Sequence, residues 1–124
     1  MIALNNRVHI FASPDVKEKL IEFFTDILGC GPAISLDAPG LATPVLAFTF
    51  SNGASLSVEF TEDALNKKQA ERGAYFELIV DDAPSLKEKI LQAGLSRMEY
   101  MGNDFFYFQA PGGQVMRILS PDEL

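Results

Sequence analysis

One order of signals occurs twice in this chain, and it leaves few folds open. An alternating run at residues 7–12 leads into Ser13-Pro14-Asp15: a hydroxyl cap, a proline at the first helical position and an acid in the first turn. Val16, Leu20, Phe23, Phe24, Ile27 and Leu28 then recur at helical spacing, with Lys17, Glu18, Lys19, Glu22 and Asp26 on the other side. Gly29 supplies a stop. The order returns after Gly73, with a strand-like run at 74–80, Asp81-Asp82 as capping candidates, Leu86, Ile90 and Ala93 at helical spacing, and Gly94 as the stop. About three strand-like stretches follow each helix. Gly29 and Gly94 set a period of about half the chain. The pattern predicts an α+β fold of two βαβββ modules, with helices over residues 14–28 and 83–93.

Within the first module, 33–37 reads as a short strand and 38–44, with Pro39 and Pro44, as a loop. Stretches 45–50 and 55–60 flank Asn52-Gly53, a strong hairpin signal. Leu56, Val58 and Phe60 alternate with Ser55, Ser57 and Glu59, so one face of that strand is apolar and the other small and polar. Residues 61–72 are charged and turn-rich, with a short helix expected at 63–71. The chain therefore reads as a single domain over 1–124, with one module at about 1–60, a linker at about 61–73 and a second module at about 74–124. In the second module 95–100 reads as a strand and Met101-Gly102-Asn103-Asp104 as a turn.

A hairpin closes the chain. Phe105-Phe106-Tyr107-Phe108 has strong β-preference, Ala110-Pro111-Gly112-Gly113 reverses the backbone, and Val115-Met116-Arg117-Ile118-Leu119 returns. Arg117 is a permanent cation in an otherwise apolar strand. It must face water, a cavity or a partner carboxylate.

The 124 residues are 48% hydrophobic, enough for one buried core. No apolar run is long enough to span a bilayer, and Asn5, Asn6 and Arg7 interrupt any signal-peptide pattern, so a cytoplasmic protein is expected. The single cysteine, Cys30, has no partner for an internal disulfide, which agrees with a reducing compartment. The net charge is −7 and the ten Lys and Arg are scattered, so no clustered basic surface exists for nucleic acid.

The repeat, Val58-Glu59-Phe60-Thr61, Val80-Asp81-Asp82 before the second helix and the closing hairpin together resemble the vicinal oxygen chelate superfamily. That superfamily includes glyoxalase I, bleomycin-resistance proteins and extradiol dioxygenases. The resemblance covers nearly the whole chain, from Arg7 to Leu119. It implies a curled eight-stranded mixed sheet, a cup with the helices on its outer face, and a homodimer. The apolar strand faces then belong to the outside. His9, Phe11, Ser57 and Glu59 point inward, as do Tyr75, Glu77 and Arg117. If Gln109 pairs with Gln114, Phe106 and Phe108 join them; a slip of one residue substitutes Phe105 and Tyr107.

Metalloenzymes of the superfamily draw one ligand from each of the first, fourth, fifth and eighth strands. By resemblance these positions fall on His9, Glu59, Tyr75 and Arg117. Tyrosine is a poor neutral ligand and arginine cannot ligate. With one histidine in the chain, the two-His iron site of the dioxygenase branch cannot be built. Two readings stand. In one, the protein binds a small organic molecule in the cup without metal, like the bleomycin-resistance branch, with Phe11, Ser57, Tyr75, Glu77, Phe106, Phe108 and Arg117 as ligand contacts. In the other it is a lyase or isomerase of glyoxalase type. Its catalytic His9 and Glu59 work as acid and base, or a divalent Zn, Ni, Fe or Mn is held by an atypical His9, Glu59 and Glu77 set. Each residue also has a plainer use: His9 bonded to a carboxylate, Glu59 and Glu77 paired with Arg117, and the aromatics as packing.

Overall fold

In each half of the chain the first and last strands of a module lie side by side and parallel. A computed structural model describes residues 1–100 and 102–124 and divides into two compact units, Met1–Ala64 and Leu65–Leu124.

In the first unit β1 (Arg7–Ala12) pairs parallel with β4 (Ser55–Phe60), β4 pairs antiparallel with β3 (Val45–Thr49), and β3 pairs antiparallel with β2 (Ile34–Leu36). Parallel neighbours need a long crossover. Here it begins with a helix whose start follows the expected chemistry: the Ser13 side chain accepts from the Asp15 N–H at 3.3 Å and Pro14 opens the first turn. The helix is not uniform. A 3₁₀ turn (Pro14–Val16) leads into α1 (Lys17–Glu22), and the last stretch (Phe23–Ile27) is a π-helix. In the π stretch the Leu28 N–H donates to the Phe23 carbonyl at 2.9 Å, five residues back. This widened turn lets the consecutive Phe23 and Phe24 both be buried. Phe24 stacks on Phe48 of β3 with ring centroids 4.6 Å apart, so the helix end lies on the apolar sheet face with Ile10, Ala12, Leu56 and Val58.

The second unit repeats this order. β5 (Tyr75–Ile79) pairs parallel with β8 (Val115–Leu119), β8 antiparallel with β7 (Phe106–Gln109), and β7 antiparallel with β6 (Arg97–Met98). Each unit thus holds a four-stranded mixed sheet with equivalent strand order, the α+β architecture that the repeated sequence predicts. α3 (Ala83–Gln92) is capped by Asp82, which accepts from the Ser85 N–H at 3.2 Å, and it buries Ala83, Leu86 and Ile90. β6 is only two residues long where 95–100 was expected as strand. The turn expected at Met101–Asp104 begins on Met101, which lies outside the described residues. Among the described residues, no helix is long and apolar enough to cross a membrane.

Two features depart from expectation. The closing turn is one residue longer than a Gln109–Gln114 pairing requires: Gln109 pairs with Val115, and the Ala110 N–H donates to the Gln114 carbonyl at 2.8 Å. The second feature is α2 (Lys67–Ala70), the ordered part of the expected linker helix, which belongs to the second unit. Gln109, 2% exposed, donates through Nε2 to the Lys67 carbonyl at 2.8 Å and the Gly113 carbonyl at 2.9 Å. Gly113 has φ of 94°, and a Cβ there would stand 3.3 Å from both Ala70 Cβ and Lys67 Cα. The turn and α2 are therefore bolted together by one amide and fit only around a glycine. Gln109→Leu keeps the volume but withdraws both donors, so it should cost about 2 kcal/mol. The check is a lower denaturant midpoint at unchanged m-value.

Candidate functional site

Strand alternation sends Arg7, His9 and Phe11 of β1 to the face opposite the buried Ile10 and Ala12. The parallel register sets His9 beside Ser57 and Phe11 beside Glu59, while Ala47 lies across from Ser57 on β3. His9 Nδ1 is 2.6 Å from Ser57 Oγ, and Nε2 is 3.8 Å from Glu59 Oε1. The tautomer that suits both has the Ser57 hydroxyl donating to Nδ1 and the Nε2–H directed toward the carboxylate. The Phe11 ring meets the imidazole edge-on at 5.1 Å. The expected residues His9, Phe11, Ser57 and Glu59 thus share one sheet face. The histidine already faces protein oxygens through both ring nitrogens.

In the second unit, β5 presents Tyr75, Glu77 and Ile79 on its more exposed face. Glu77 is in register with Arg117 of the parallel β8, and the Arg117 Nη1 donates to Glu77 Oε2 at 3.2 Å. The Arg117 side chain is 13% exposed and that of Glu77 47%. Across β7, Tyr107 stands opposite Arg117 and meets Tyr75 and Tyr100 edge-on at 5.4 and 4.6 Å. The Tyr100 hydroxyl donates to the Glu71 carbonyl at 2.9 Å, and Arg72 lies 5.1 Å from the Tyr100 ring. The Phe105 ring lies 3.8 Å from the centre of the Arg117 guanidinium. Arg117 Nε is buried and has no hydrogen-bond partner among the described residues.

The longer closing turn corrects the expected aromatic set. Phe106 and Phe108 are on the opposite face from Arg117; Phe106 packs under Lys87 and Arg97, at 5.7 and 4.9 Å. Phe105 and Tyr107 take their place, as the one-residue slip implies. Tyr100 joins the cluster without having been singled out, because 95–100 reads as a strand with no alternation to fix which way its last residue points. Burial pushes the Cys30 thiol up to about 11, toward the protonated, less nucleophilic form.

No protein-family model matches the sequence, and none of the curated proteins compared matches it. Solved structures do match. Glyoxalase I of Leishmania major superposes with a TM-score of 0.76 at 14% identity, covering 98% of this chain and 89% of that one. The antibiotic binding protein TnmS3 from Streptomyces sp. CB03234 gives 0.65 at 17% identity, with 97% of each chain covered. A member of the glyoxalase/bleomycin resistance protein/dioxygenase superfamily from Sphaerobacter thermophilus gives 0.65 at 18% identity over 97% of this chain and 98% of that one. The chain has the vicinal oxygen chelate fold.

The divalent metal that the vicinal oxygen chelate fold implies does not fit the residues present. Of the four positions where the resemblance expects ligands, Tyr75 carries a phenol packed edge-on against Tyr107, and Arg117 carries a cation paired with Glu77. A guanidinium has no lone pair to give and repels a divalent ion. Among the described residues, no group of three or more His, Cys, Asp or Glu side chains is gathered to hold one. Glu77, which would replace Tyr75 as a ligand, is engaged by Arg117. Arg117→Glu should put a second carboxylate in the enclosed place of Arg117, in register with Glu77, and lower stability at neutral pH by roughly 2 kcal/mol. Protonation relieves that repulsion, so the loss should recover as pH falls through the carboxylate range. Arg117→Met should lack this recovery in thermal melts taken across pH.

Proposed function

We propose that the chain binds a small organic molecule without a metal ion, through the polar and aromatic faces of its sheets. The observation that carries this reading is Arg117, expected by resemblance at the fourth ligand position, ion-paired with Glu77 and covered by the Phe105 ring. A fixed cation at that place orients an anionic or polar ligand group but cannot act as a Lewis acid. Similarity to an antibiotic binding protein as well as to a glyoxalase is consistent with a binding role. The reading takes the protein as cytoplasmic and dimeric. Ile34 and Leu36, about half exposed on the edge strand β2, suit a partner chain.

One observation favours an enzymatic alternative, a lyase or isomerase of glyoxalase type. His9 Nδ1 is bonded to the Ser57 hydroxyl with Glu59 behind Nε2, which lets the imidazole take up a proton and the carboxylate steady the resulting charge. Native mass spectrometry and elemental analysis of the protein as expressed separate the two. The binding reading expects a co-purifying organic mass or none, and no stoichiometric zinc, nickel, iron or manganese after gel filtration. A metal at one per chain that is lost in His9→Ala or Glu59→Ala would overturn it. Light scattering should give twice the chain mass at micromolar concentration; a monomer at every concentration would count against the dimer.

A further inference from the structure

The second unit contains a cation that its surroundings only half satisfy. Arg117 is almost wholly enclosed, yet its bonded carboxylate is a half-exposed Glu77 reached through one nitrogen at 3.2 Å. A guanidinium has five N–H donors and prefers two parallel bonds to a carboxylate. Nε–H is buried without a partner among the described residues. An unmet donor on a mostly enclosed charge is costly, and in a native structure it calls for an explanation. Phe105 covers one side of the ion, its ring centre 3.8 Å from the guanidinium carbon. Tyr75 and Ile79, about half exposed, flank Glu77 on the same face of β5.

Resting on the small-molecule reading above, we infer that this face takes a ligand with a planar carboxylate beside an aromatic or apolar body, and that Glu77 is its internal stand-in. The ligand carboxylate replaces the Glu77 carboxylate on Arg117, and its body covers Tyr75 and Ile79. Glu77 swings into water at little cost because it is already half solvated. A monoanion fits better than a phosphate dianion, since the whole chain carries a net charge of −7 and repels a second negative charge. An ammonium ligand would instead need Glu77 freed from Arg117, leaving the enclosed cation alone.

The experiment titrates benzoate, benzyl alcohol and benzylammonium into the full chain, followed by amide NMR shifts, for wild type, Glu77→Gln and Arg117→Met. Benzoate should move the amides of β5 and β8 and bind more tightly than the other two. Glu77→Gln removes the competitor and should tighten benzoate about two- to fivefold, the equivalent of an exposed pair. Arg117→Met should bring benzoate down to the affinity of benzyl alcohol. If Arg117→Met fails to fold, the Glu77→Gln comparison still decides. Unchanged or weaker benzoate binding in Glu77→Gln overturns the inference, as does absence of benzoate binding in both. Benzyl alcohol or benzylammonium binding this face better than benzoate overturns it too, but leaves the small-molecule reading intact. That reading falls separately, on the metal and native-mass results.

Discussion

The parallel pair between the first and last strands of each unit is the constraint from which the rest follows. Parallel neighbours cannot be joined by a tight turn, so the chain must leave the sheet, cross one face and return. In the first unit the crossover helix brings Phe24 onto that face, stacked on Phe48, where Ile10, Ala12, Leu56 and Val58 are also buried. Because side chains alternate, the same pairing sends His9, Phe11, Ser57 and Glu59 to the other side in register. In the second unit it aligns Glu77 with Arg117. A slip of one residue in β8 would turn Arg117 toward the helix face and bury a charge among apolar groups, so the register and the Arg117–Glu77 pair are protected by one cost.

The closing hairpin adds a second constraint that works through the backbone. Its turn carries one residue more than a Gln109–Gln114 pairing would need, and this extra residue selects Tyr107 rather than Phe106 to stand across from Arg117. The longer turn is held by Gln109, whose amide joins the Gly113 and Lys67 carbonyls in the interior. The segment between the two repeats is therefore more than a tether. Part of it, α2, is anchored to the element that decides which aromatics surround the cation.

Much of this was legible in the sequence, and the remainder was illegible for physical reasons. Helix starts at Ser13 and Asp82, the Asn52-Gly53 hairpin and the two faces of β1, β4 and β5 rest on local rules of capping, turn chemistry and alternation. Arg117 announced its need for a carboxylate because an unpaired charge in an apolar strand is costly, and Glu77 meets it. Glu59, the other carboxylate considered for it, stands beside His9 within the first unit. The hairpin register was not legible, since several turns suit Ala-Pro-Gly-Gly and only long-range bonds of the Gln109 amide select among them. The π turn at Phe23–Ile27 had one faint signal, two adjacent phenylalanines that a regular helix would splay apart.

What a cation of this kind can do differs from what a metal does on the same scaffold. A divalent ion concentrates charge at a point, polarises a bound oxygen and generates hydroxide. A guanidinium spreads one charge over a plane and offers donors in fixed directions, so it recognises shape and orients without activating water. On the first unit's polar face the groups able to carry a proton are His9, the one histidine of the chain, and Glu59 beside it, with Ser57 bonded to the imidazole. On the second unit's face, Phe105 lies on the guanidinium and Tyr107 stands opposite Arg117, while Glu77 remains partly in water. The ion pair is therefore enclosed on the cation's side and open on the anion's. Water can take over the carboxylate far more cheaply than it can reach the guanidinium. An exchange at this pair thus replaces the anion and keeps the cation in place.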